Sequence, residues 1–373
     1  MINKKYFLST AIFSMLALSL VTGCGGSTSS SSSGGSNGGA SGGSSDNQNY
    51  QGTSEKPQAE APKFEKMTIK FGHSSETSEP THKAALAFAE KVKERTGGAV
   101  EVKVYPAEQI GVERDMIEQT KSGAIQLVFS SPGALGVFNP EIEIFNGPFL
   151  WDNWDQAKWV MRESDLGKEV YANLEKDHGL KVLDPAWYWG WRHITANKEI
   201  RTPADMVGQK FRVSNVPIFV EMGKAMGASP TPINFSEVYT ALQQGVVDSQ
   251  ENPIPTIWAK KFYEVQDYVM MSGHMLQSNH VTANAAWFNG LSPELQQIIQ
   301  EEITAAGDAM TEMQMEAEIS DLEKIKAEGV KIIEDVDKKA FEEATRGVYD
   351  LFADKWGADL YDRVQKAKSE FKP

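Results

Sequence analysis

Three polar side chains of this sequence lie beside large apolar residues. Arg192 directly follows the aromatic run Trp187–Trp191, Arg212 lies within the stretch KFRVS, and Asn252 precedes a proline in SQENP. The planar fork of an arginine matches a carboxylate bidentately, and an amide can donate to the same group. The three residues could therefore bind an organic acid. Each also has an ordinary structural reading, because an arginine on a strand often pairs with a protein carboxylate and Asn-Pro often forms a turn.

Catalytic and metal-binding motifs are missing from the chain. It has no GxSxG, no glycine-rich phosphate loop, no HExxH and no CxxC, and its six histidines lack the spacing of metal ligands. Carboxylate pairs are plentiful, as in any acidic protein, and none stands out. We therefore expect no enzyme activity, no metal and no cofactor.

The formal net charge is −14, and it becomes −16 once a leader containing Lys4 and Lys5 is removed. A nucleic-acid-binding protein would present a basic face, so this charge argues against such a partner. It also means that any anion site must be a local concentration of donors, because the global field repels anions.

The N-terminus has the pattern of an export signal over residues 1–23. A basic start is followed by the apolar run Tyr6–Val21 and by LVTGC, which is similar to the lipobox of bacterial lipoproteins. Cys24, the only cysteine, is then the predicted lipid attachment site, and an ordinary cleaved signal peptide is the alternative. Residues 24–64 are rich in glycine and serine and are predicted to form a flexible tether, with a root-mean-square span of roughly 35 Å.

The remaining part of the chain, about 310 residues, is long enough for two lobes. Apolar patterning predicts the order β-α-β-α-β between residues 67 and 131, and a similar order between residues 208 and 253, so we expect two wings of parallel sheet covered by helices. Ligands in such sheets bind beyond the carboxyl ends of the strands. Those ends fall at 73–74, 130–131, 212–215 and 251–252, and they line one cleft if the wings face each other.

One long helical pattern follows the second wing. It opens with Ser292 as the N-cap and Pro293 at the first helical position, and its apolar stripe continues for some 35 residues, roughly 50 Å. We interpret it as a helix that crosses both lobes. Two helices joined at Gly307 are the alternative.

Residues Gly208–Pro253 strongly resemble the solute-binding proteins of TRAP transporters, the DctP family. The matching stretch contains GASPTPINFSEVYTALQQGVVDSQENP, and the likeness covers about residues 66–365, including YPAEQIGVERDMIEQ upstream. The resemblance implies an α/β fold, a two-lobed clamshell like that of the type II periplasmic binding proteins (a Venus flytrap). Hinge strands and a long lobe-spanning helix would join the two lobes. On this basis, lobe 1 comprises residues 65–189 and 278–317, and lobe 2 comprises residues 190–277 and 318–373.

The resemblance also implies ligand-binding residues. Arg212 matches the carboxylate-clamping arginine of the family, Arg192 a second ligand-contacting arginine that would hold a second carboxylate or a hydroxyl, and Asn252 the amide that helps to hold the carboxylate. Four further positions match the pocket wall or positions that vary with the substrate: Phe235, Ser74, Glu113 and Ser131. Trp189 is the eighth predicted ligand-binding residue. It stands where many members have asparagine, so the identity of the ligand should not be copied from a relative.

The expected function is extracytoplasmic capture of a small organic acid, either a C4-dicarboxylate or a sugar acid or another carboxylate. The protein would deliver this acid to the small and large membrane subunits of a sodium-coupled TRAP permease. We expect a monomer that is either held by a lipid on Cys24 at the outer face of the cytoplasmic membrane or located in the periplasm. The alternatives are a ligand-sensing binding protein for a membrane sensor kinase and a binding protein for an importer of the ABC type.

Overall fold

The computed structural model describes residues 64–372. The predicted signal peptide, the lipid attachment site Cys24 and the predicted tether up to residue 63 lie outside the described residues. Within the described part, no helix is both long and apolar enough to span a lipid bilayer.

Nine strands of the described residues form one sheet. They are β1 (Met67–Gly72), β2 (Val100–Tyr105), β3 (Leu127–Ser130), β4 (Leu180–Ala196), β5 (Lys210–Val213), β6 (Ser229–Pro232), β7 (Ser249–Pro253), β8 (Tyr268–Asn284) and β9 (Lys331–Ile333). Their order across the sheet is β2-β1-β3-β8-β4-β7-β5-β6, with β9 pairing with β8 at one end of that strand.

Fourteen α-helices connect and cover these strands in the described residues. They are α1 (Pro80–Arg95), α2 (Glu113–Ser122), α3 (Pro132–Leu135), α4 (Trp154–Arg162), α5 (Asp165–His178), α6 (Pro203–Met206), α7 (Pro217–Ala225), α8 (Val238–Gln243), α9 (Ile254–Ala259), α10 (Ala285–Asn289), α11 (Pro293–Ala327), α12 (Lys338–Thr345), α13 (Ala353–Trp356) and α14 (Leu360–Glu370). Short 3-10 helices span Pro140–Asn146, Phe235–Glu237, Phe262–Glu264 and Arg346–Phe352.

The two wings predicted from the sequence have the same connectivity. In the first wing β1 pairs in parallel with β2 and β3, and in the second wing β5 pairs in parallel with β6 and β7. The complete sheet is mixed rather than parallel, because β3 runs antiparallel to β8 and β7 runs antiparallel to β4. The 17-residue strands β4 and β8 pair with each other between the wings, so they form the continuous connection from one wing to the other. The lobe boundaries at 189/190, 277/278 and 317/318 stay a prediction.

The aromatic run of β4 is divided between two cores, because successive side chains of a strand point to opposite faces. Trp187 and Trp189 belong to the apolar cluster that contains the buried faces of α1 and α11. Tyr188 belongs to the cluster on the other side of the sheet. Most of the aromatic area in this run is therefore core, and only part of it can face a ligand.

The long helix α11 is continuous over 35 residues, as the first interpretation predicted. The Ser292 side chain accepts a hydrogen bond from the Leu295 N–H and caps its N-terminus. Gly307 does not break the helix. It allows close packing against β4, because a Cβ at this position would lie 2.5 Å from Trp187 Nε1.

Candidate functional site

A cavity of about 150 Å³ lies between the two wings. The carboxyl ends of β1, β3, β5 and β7 meet there, which is where ligands bind in open α/β sheets. The structure brings all eight residues predicted from the sequence to this cavity: Ser74, Glu113, Ser131, Trp189, Arg192, Arg212, Phe235 and Asn252.

Arg212 is the last but one residue of β5, and its side chain is only 2% exposed. Its Nε and NH2 groups donate to the carbonyl oxygen of Ile233, at 3.1 and 2.7 Å. Among residues 64–372, no other group accepts a hydrogen bond from Arg212, and no carboxylate lies within ion-pair distance of it. Burial lowers the pKa of Arg212 to about 10, which leaves the side chain cationic at neutral pH. Arg212 is therefore a buried cation with unused N–H donors at the cavity.

Arg192 lies on β4 and is equally buried, but protein groups bind most of its N–H donors. Its guanidinium forms an ion pair with Glu251 through Nε and NH2. NH2 also donates to the Glu251 carbonyl at 2.7 Å, and NH1 donates to Gln277 Oε1 at 2.7 Å. One face of the guanidinium lies 5.3 Å from the ring centre of Phe219. The charge of Arg192 is thus compensated inside the protein.

Glu251 is fully buried beneath the cavity, on β7. Burial acts to raise its pKa, but the attraction of Arg192 and the hydrogen bonds from His274 and Arg192 outweigh burial and lower the pKa to about 2. Glu251 therefore remains ionised across the physiological pH range, and the pair Arg192–Glu251 carries no net charge.

Asn252 links Arg192 to the surrounding polar network. Its Oδ1 accepts from Arg192 NH2 at 3.1 Å, and its Nδ2 donates to Gln250 Oε1 at 2.6 Å. One of its two N–H groups is then left for a ligand, because a side-chain amide carries two. The register of the sheet fixes this position, since His193 pairs with Asn252 across β4 and β7.

Aromatic rings form part of the cavity wall. Phe235 lies 6.3 Å from Trp189 in an edge-to-face arrangement, and the Arg212 guanidinium is 5.9 Å from the Phe235 ring centre. The indole Nε1 of Trp189 is buried and has no hydrogen-bond partner among the described residues. Because an unpaired buried donor costs free energy, Trp189 Nε1 is a candidate contact for a polar ligand atom.

The first wing supplies the opposite wall. Glu113 begins α2, and its Oε1 accepts from the Ser131 N–H at 2.5 Å. Burial raises the pKa of Glu113 against the opposing effect of these hydrogen bonds. Ser131 caps α3 by accepting from the Ala134 N–H, and the Ser74 Oγ is buried without a partner in the described part of the chain.

Sequence reasoning missed Glu108, which also lines the cavity. Its Oε2 is buried without a partner among residues 64–372. Ala107 and Glu108 have φ values of +50° and +59°, and backbone bonds from their N–H groups to the carbonyls of Ser75 and His73 hold them there. Non-glycine residues in this conformation are uncommon and tend to occur at functional sites. No local pattern in YPAEQIG indicates it.

Gln277 and Asn279 on β8 also line the cavity and were not predicted. They are two residues apart and share one face of the strand, where Gln277 Nε2 donates to Asn279 Oδ1 at 2.8 Å. The run of four consecutive polar residues, Gln277–His280, directly after the apolar Met275 and Leu276 is a signal that could have identified them. Among the described residues, no group of three or more His, Cys, Asp or Glu side chains is placed to hold a metal ion.

Two wings of identical connectivity, joined by two hinge strands and a long helix around a cavity with a cationic wall, define a two-lobed solute-binding protein. The sequence profile of the bacterial extracellular solute-binding proteins of family 7, the DctP family, matches residues 71–355. The chain belongs to this family.

Named relatives agree with this assignment. The chain is 33% identical over 306 residues to the 2,3-diketo-L-gulonate-binding periplasmic protein YiaO of Escherichia coli, which covers 81% of this chain and 92% of that protein. It is 32% identical over 297 residues to the sialic acid-binding periplasmic protein SiaP of Vibrio cholerae, and this match covers 80% of this chain and 92% of that protein. A TRAP periplasmic solute-binding protein of Actinobacillus succinogenes, crystallised with bound L-galactonate, superposes with a TM-score of 0.78 at 31% identity and covers 82% of this chain and 100% of that chain.

These findings confirm the predicted two-lobed α/β clamshell and the predicted family. The protein is an extracytoplasmic solute-binding protein of the kind that serves TRAP transporters.

Proposed function

We propose that the ligand is a small hydroxylated acid with a single carboxylate, and that Arg212 and Asn252 hold this carboxylate. The observation that carries the proposal is the state of Arg212, which is buried and cationic with no carboxylate partner among residues 64–372. A buried charge without a partner is costly, and a ligand carboxylate supplies the missing one. The fork of the guanidinium allows two parallel hydrogen bonds to it.

The charges around the cavity favour one carboxylate over two. Arg192 is neutralised by Glu251, so it offers little net attraction to a second anion. The carboxylates of Glu108 and Glu113 line the same cavity and lie close enough to Arg212 to interact with its charge. A second ligand carboxylate would approach these acids and would be repelled. A C4-dicarboxylate is therefore less favourable than a sugar acid among the ligand classes expected from the sequence.

Unpartnered polar atoms at the cavity favour hydroxyl groups on the ligand. Glu108 Oε2 needs a donor, Trp189 Nε1 needs an acceptor, and Ser74 Oγ can serve as either. A hydroxyl can satisfy each of them, because it both donates and accepts. The L-galactonate bound by the relative from Actinobacillus succinogenes has this chemistry, a carboxylate followed by a chain of hydroxyls.

The size of the cavity limits the ligand. One water molecule needs about 10–15 Å³ of cavity volume. A cavity of about 150 Å³ then holds about ten to fifteen water-sized groups. That number suits an acid the size of a six-carbon sugar acid better than the larger sialic acid that the relative from Vibrio cholerae binds.

The remaining features of the proposal concern the setting of the protein. We propose that a lipid on Cys24 holds the mature chain at the membrane and that residues 24–64 act as the tether. The chain would act as a monomer without catalysis, and it would pass the acid to the small and large subunits of a sodium-coupled permease. The family, whose members bind substrates for membrane permeases, supports the delivery to a permease.

A thermal-shift screen tests the ligand class. The panel contains L-galactonate, succinate, pyruvate and sialic acid, each with the full mature chain. A ligand at 100 times its dissociation constant adds about 2.7 kcal/mol to the free energy of unfolding. We expect the largest shift with L-galactonate, and a larger shift with succinate would contradict the single-carboxylate proposal.

Calorimetry on Arg212 variants tests the anchor. We expect Arg212→Ala to lose about 2–5 kcal/mol of binding free energy, because the ligand carboxylate is left desolvated without its partner. Arg212→Lys should lose most of the same amount, since an ammonium cannot form the bidentate fork. Lys210→Met, on the same strand but exposed, is the matched control and should bind as the wild type does. Wild-type affinity in Arg212→Lys would contradict a bidentate contact between the Arg212 guanidinium and the ligand carboxylate.

A further inference from the structure

Side chains of the first wing reach the second wing at one edge of the cavity. The segment after β1 carries Glu76 and Glu79, and the helix α9 of the second wing carries Thr256, with Lys260 directly after it. Lys260 Nζ lies 2.6 Å from Glu76 Oε1, and Thr256 Oγ1 donates to Glu79 Oε1 at 2.8 Å. These contacts join residues that are 177 to 184 positions apart in the chain.

Glu79 occupies an unusual position for a carboxylate. It is the N-cap residue of α1, but its side chain does not cap that helix. Glu79 Oε2 instead accepts from the Glu76 N–H at 2.6 Å, so Glu79 connects the loop of the first wing with Thr256 of the second. The side chain is 2% exposed, and Thr256 is fully buried. A carboxylate this deep needs its partners, so these hydrogen bonds depend on contact between the wings.

Lys260 also connects this edge to the ligand cavity. Its Nζ lies 4.6 Å from the ring centre of Phe235, which lines the cavity and lies beside Arg212. The Lys260 side chain is 13% exposed and the Glu76 side chain 34% exposed. This ion pair is thus more shielded from solvent than an ordinary surface pair, and it lies behind a wall of the ligand site.

We propose that Glu76, Glu79, Thr256 and Lys260 form a closure latch, which holds the two wings together over the bound acid and sets its rate of release. This rests on the proposed function, because it assumes a ligand in the cavity. In a clamshell the acid cannot leave until the wings separate, and separation breaks both latch contacts. Variants that weaken the latch should therefore accelerate release more than they slow association.

The latch also predicts an exchange of protons. Burial raises the pKa of Glu79 from 4.5 to about 7, and the negative charge of Glu76 raises it further. The hydrogen bonds to Glu79 and the positive charge of Lys260 lower the pKa but do not outweigh burial. The charged groups that face Glu79 are Glu76 and Lys83 from its own segment, Lys260 beside α9, and Glu316, Asp321 and Lys324 from α11. When the wings separate, water reaches Glu79 and its pKa returns towards the ordinary value. Closure at pH 6 should therefore take up close to one proton.

Stopped-flow release of the panel acid with the largest thermal shift tests the latch. We expect Lys260→Met and Glu76→Gln to release the acid at least tenfold faster than the wild type. Glu94→Gln is the matched control, because it removes an exposed ion pair with Lys91 inside α1 and should leave release unchanged. Release within twofold of the wild type in both latch variants would overturn the proposal.

Calorimetry at pH 6 in buffers of different ionisation heat counts the protons taken up on binding. We expect close to one for the wild type and close to none for Glu79→Gln, whose side chain does not titrate. An equal count in both proteins would remove Glu79 from the latch.

Amide hydrogen exchange of residues 254–260 without any acid reads the contact itself. It should be faster in Lys260→Met and Glu76→Gln than in Glu94→Gln, and equal exchange would overturn the contact. Failure of the proposed function has a different signature, since Arg212→Ala would then leave binding intact.

Discussion

Two buried arginines face the same cavity, and the protein treats their charges differently. Arg192 on β4 has a carboxylate, a carbonyl and two side-chain amides as acceptors. Arg212 on β5 has one backbone carbonyl, that of Ile233. Burial alone therefore does not identify a ligand-binding arginine, because both side chains are almost fully buried. The presence or absence of a protein carboxylate distinguishes a structural cation from one that is available to a ligand.

The difference follows from the strands on which the two residues lie. β4 runs antiparallel to β7, and this register places Arg192 opposite Pro253. Glu251 pairs with Ile194, two residues along β4 from Arg192. β5 lies between β6 and β7, and Arg212 pairs with the uncharged Thr231 of β6. β7 borders both strands, and its one carboxylate, that of Glu251, is bound by Arg192 and not by Arg212.

The largest expected effect comes from breaking the compensated pair. Glu251→Ala or Arg192→Ala should lower the free energy of unfolding of the ligand-free protein by about 3–5 kcal/mol, because each leaves one charge buried alone. Arg212→Met should leave it unchanged or raise it, because it removes a charge that is already unpaired. Urea denaturation of the three variants measures the difference.

A double variant sharpens this comparison. Arg192→Leu combined with Glu251→Met replaces both charges with apolar groups of similar volume, and it should be much less destabilised than either single variant. If Arg212→Met lost as much stability as Glu251→Ala, the distinction between the two arginines would be wrong.

The same distinction explains how far the sequence could predict the site. Arg212, Arg192 and Asn252 were found because their types are unusual in apolar surroundings and their motif matches a family. The partner of Arg192 was not found, since Glu251 lies 59 positions away and meets Arg192 only through the pairing of β4 with β7. Glu108 was not found either, because the positive φ that directs it to the cavity arises from loop hydrogen bonds to the residues after β1.

The fold was predictable where its signals were local. Helix α11, the parallel strands of each wing and the caps follow from periodicity and from residues such as Ser292. The pairing of β4 with β8 joins residues such as Leu180 and Asn284, about a hundred positions apart. Nothing in either strand alone specifies that partner, so the mixed character of the sheet became visible only in the structure.

A substitution at the hinge strand is expected to have the next largest effect. Gly190 lies two residues before Arg192 and has φ of +117°, and a Cβ there would collide with Glu318 Oε1 and lie 3.3 Å from Pro253 Cβ. Gly190→Ala should destabilise the protein by about 1–3 kcal/mol through overpacking and backbone strain. It should also weaken ligand binding, because displacing Arg192 moves Asn252, to which Arg192 donates a hydrogen bond.

Gly179→Ala provides the control for backbone strain alone. Gly179 also has a positive φ, +67°, but nothing lies within 4 Å of its added Cβ, and it is remote from both arginines. It should lose no more than about 1 kcal/mol of stability and no affinity. Equal loss of affinity in the two variants would show that the position of Arg192 does not matter for the ligand.

The smallest effect concerns two buried carboxylates and their dependence on pH. Glu251, paired with Arg192, has a pKa of about 2, below its ordinary value of 4.5. Its contribution to stability is complete above pH 4.5 and is lost as the pH falls towards 2. Glu318 accepts from the Tyr188 hydroxyl and the Trp191 N–H, and burial raises its pKa to about 7. Its contribution is complete below pH 4.5 and is lost as the pH rises through 7.

Comparing each glutamine variant with the wild type isolates these contributions, because the other titrations cancel. The stability advantage of the wild type over Glu251→Gln should shrink as the pH falls from 5 to 3. The advantage over Glu318→Gln should shrink in the opposite direction, as the pH rises from 5 to 8. Denaturation at each pH provides the measurement, and parallel curves for the two variants would mean that ion pairing with Arg192 does not set the charge state of Glu251. The two arginines would then differ in geometry but not in electrostatics, and a ligand carboxylate would have no reason to prefer Arg212.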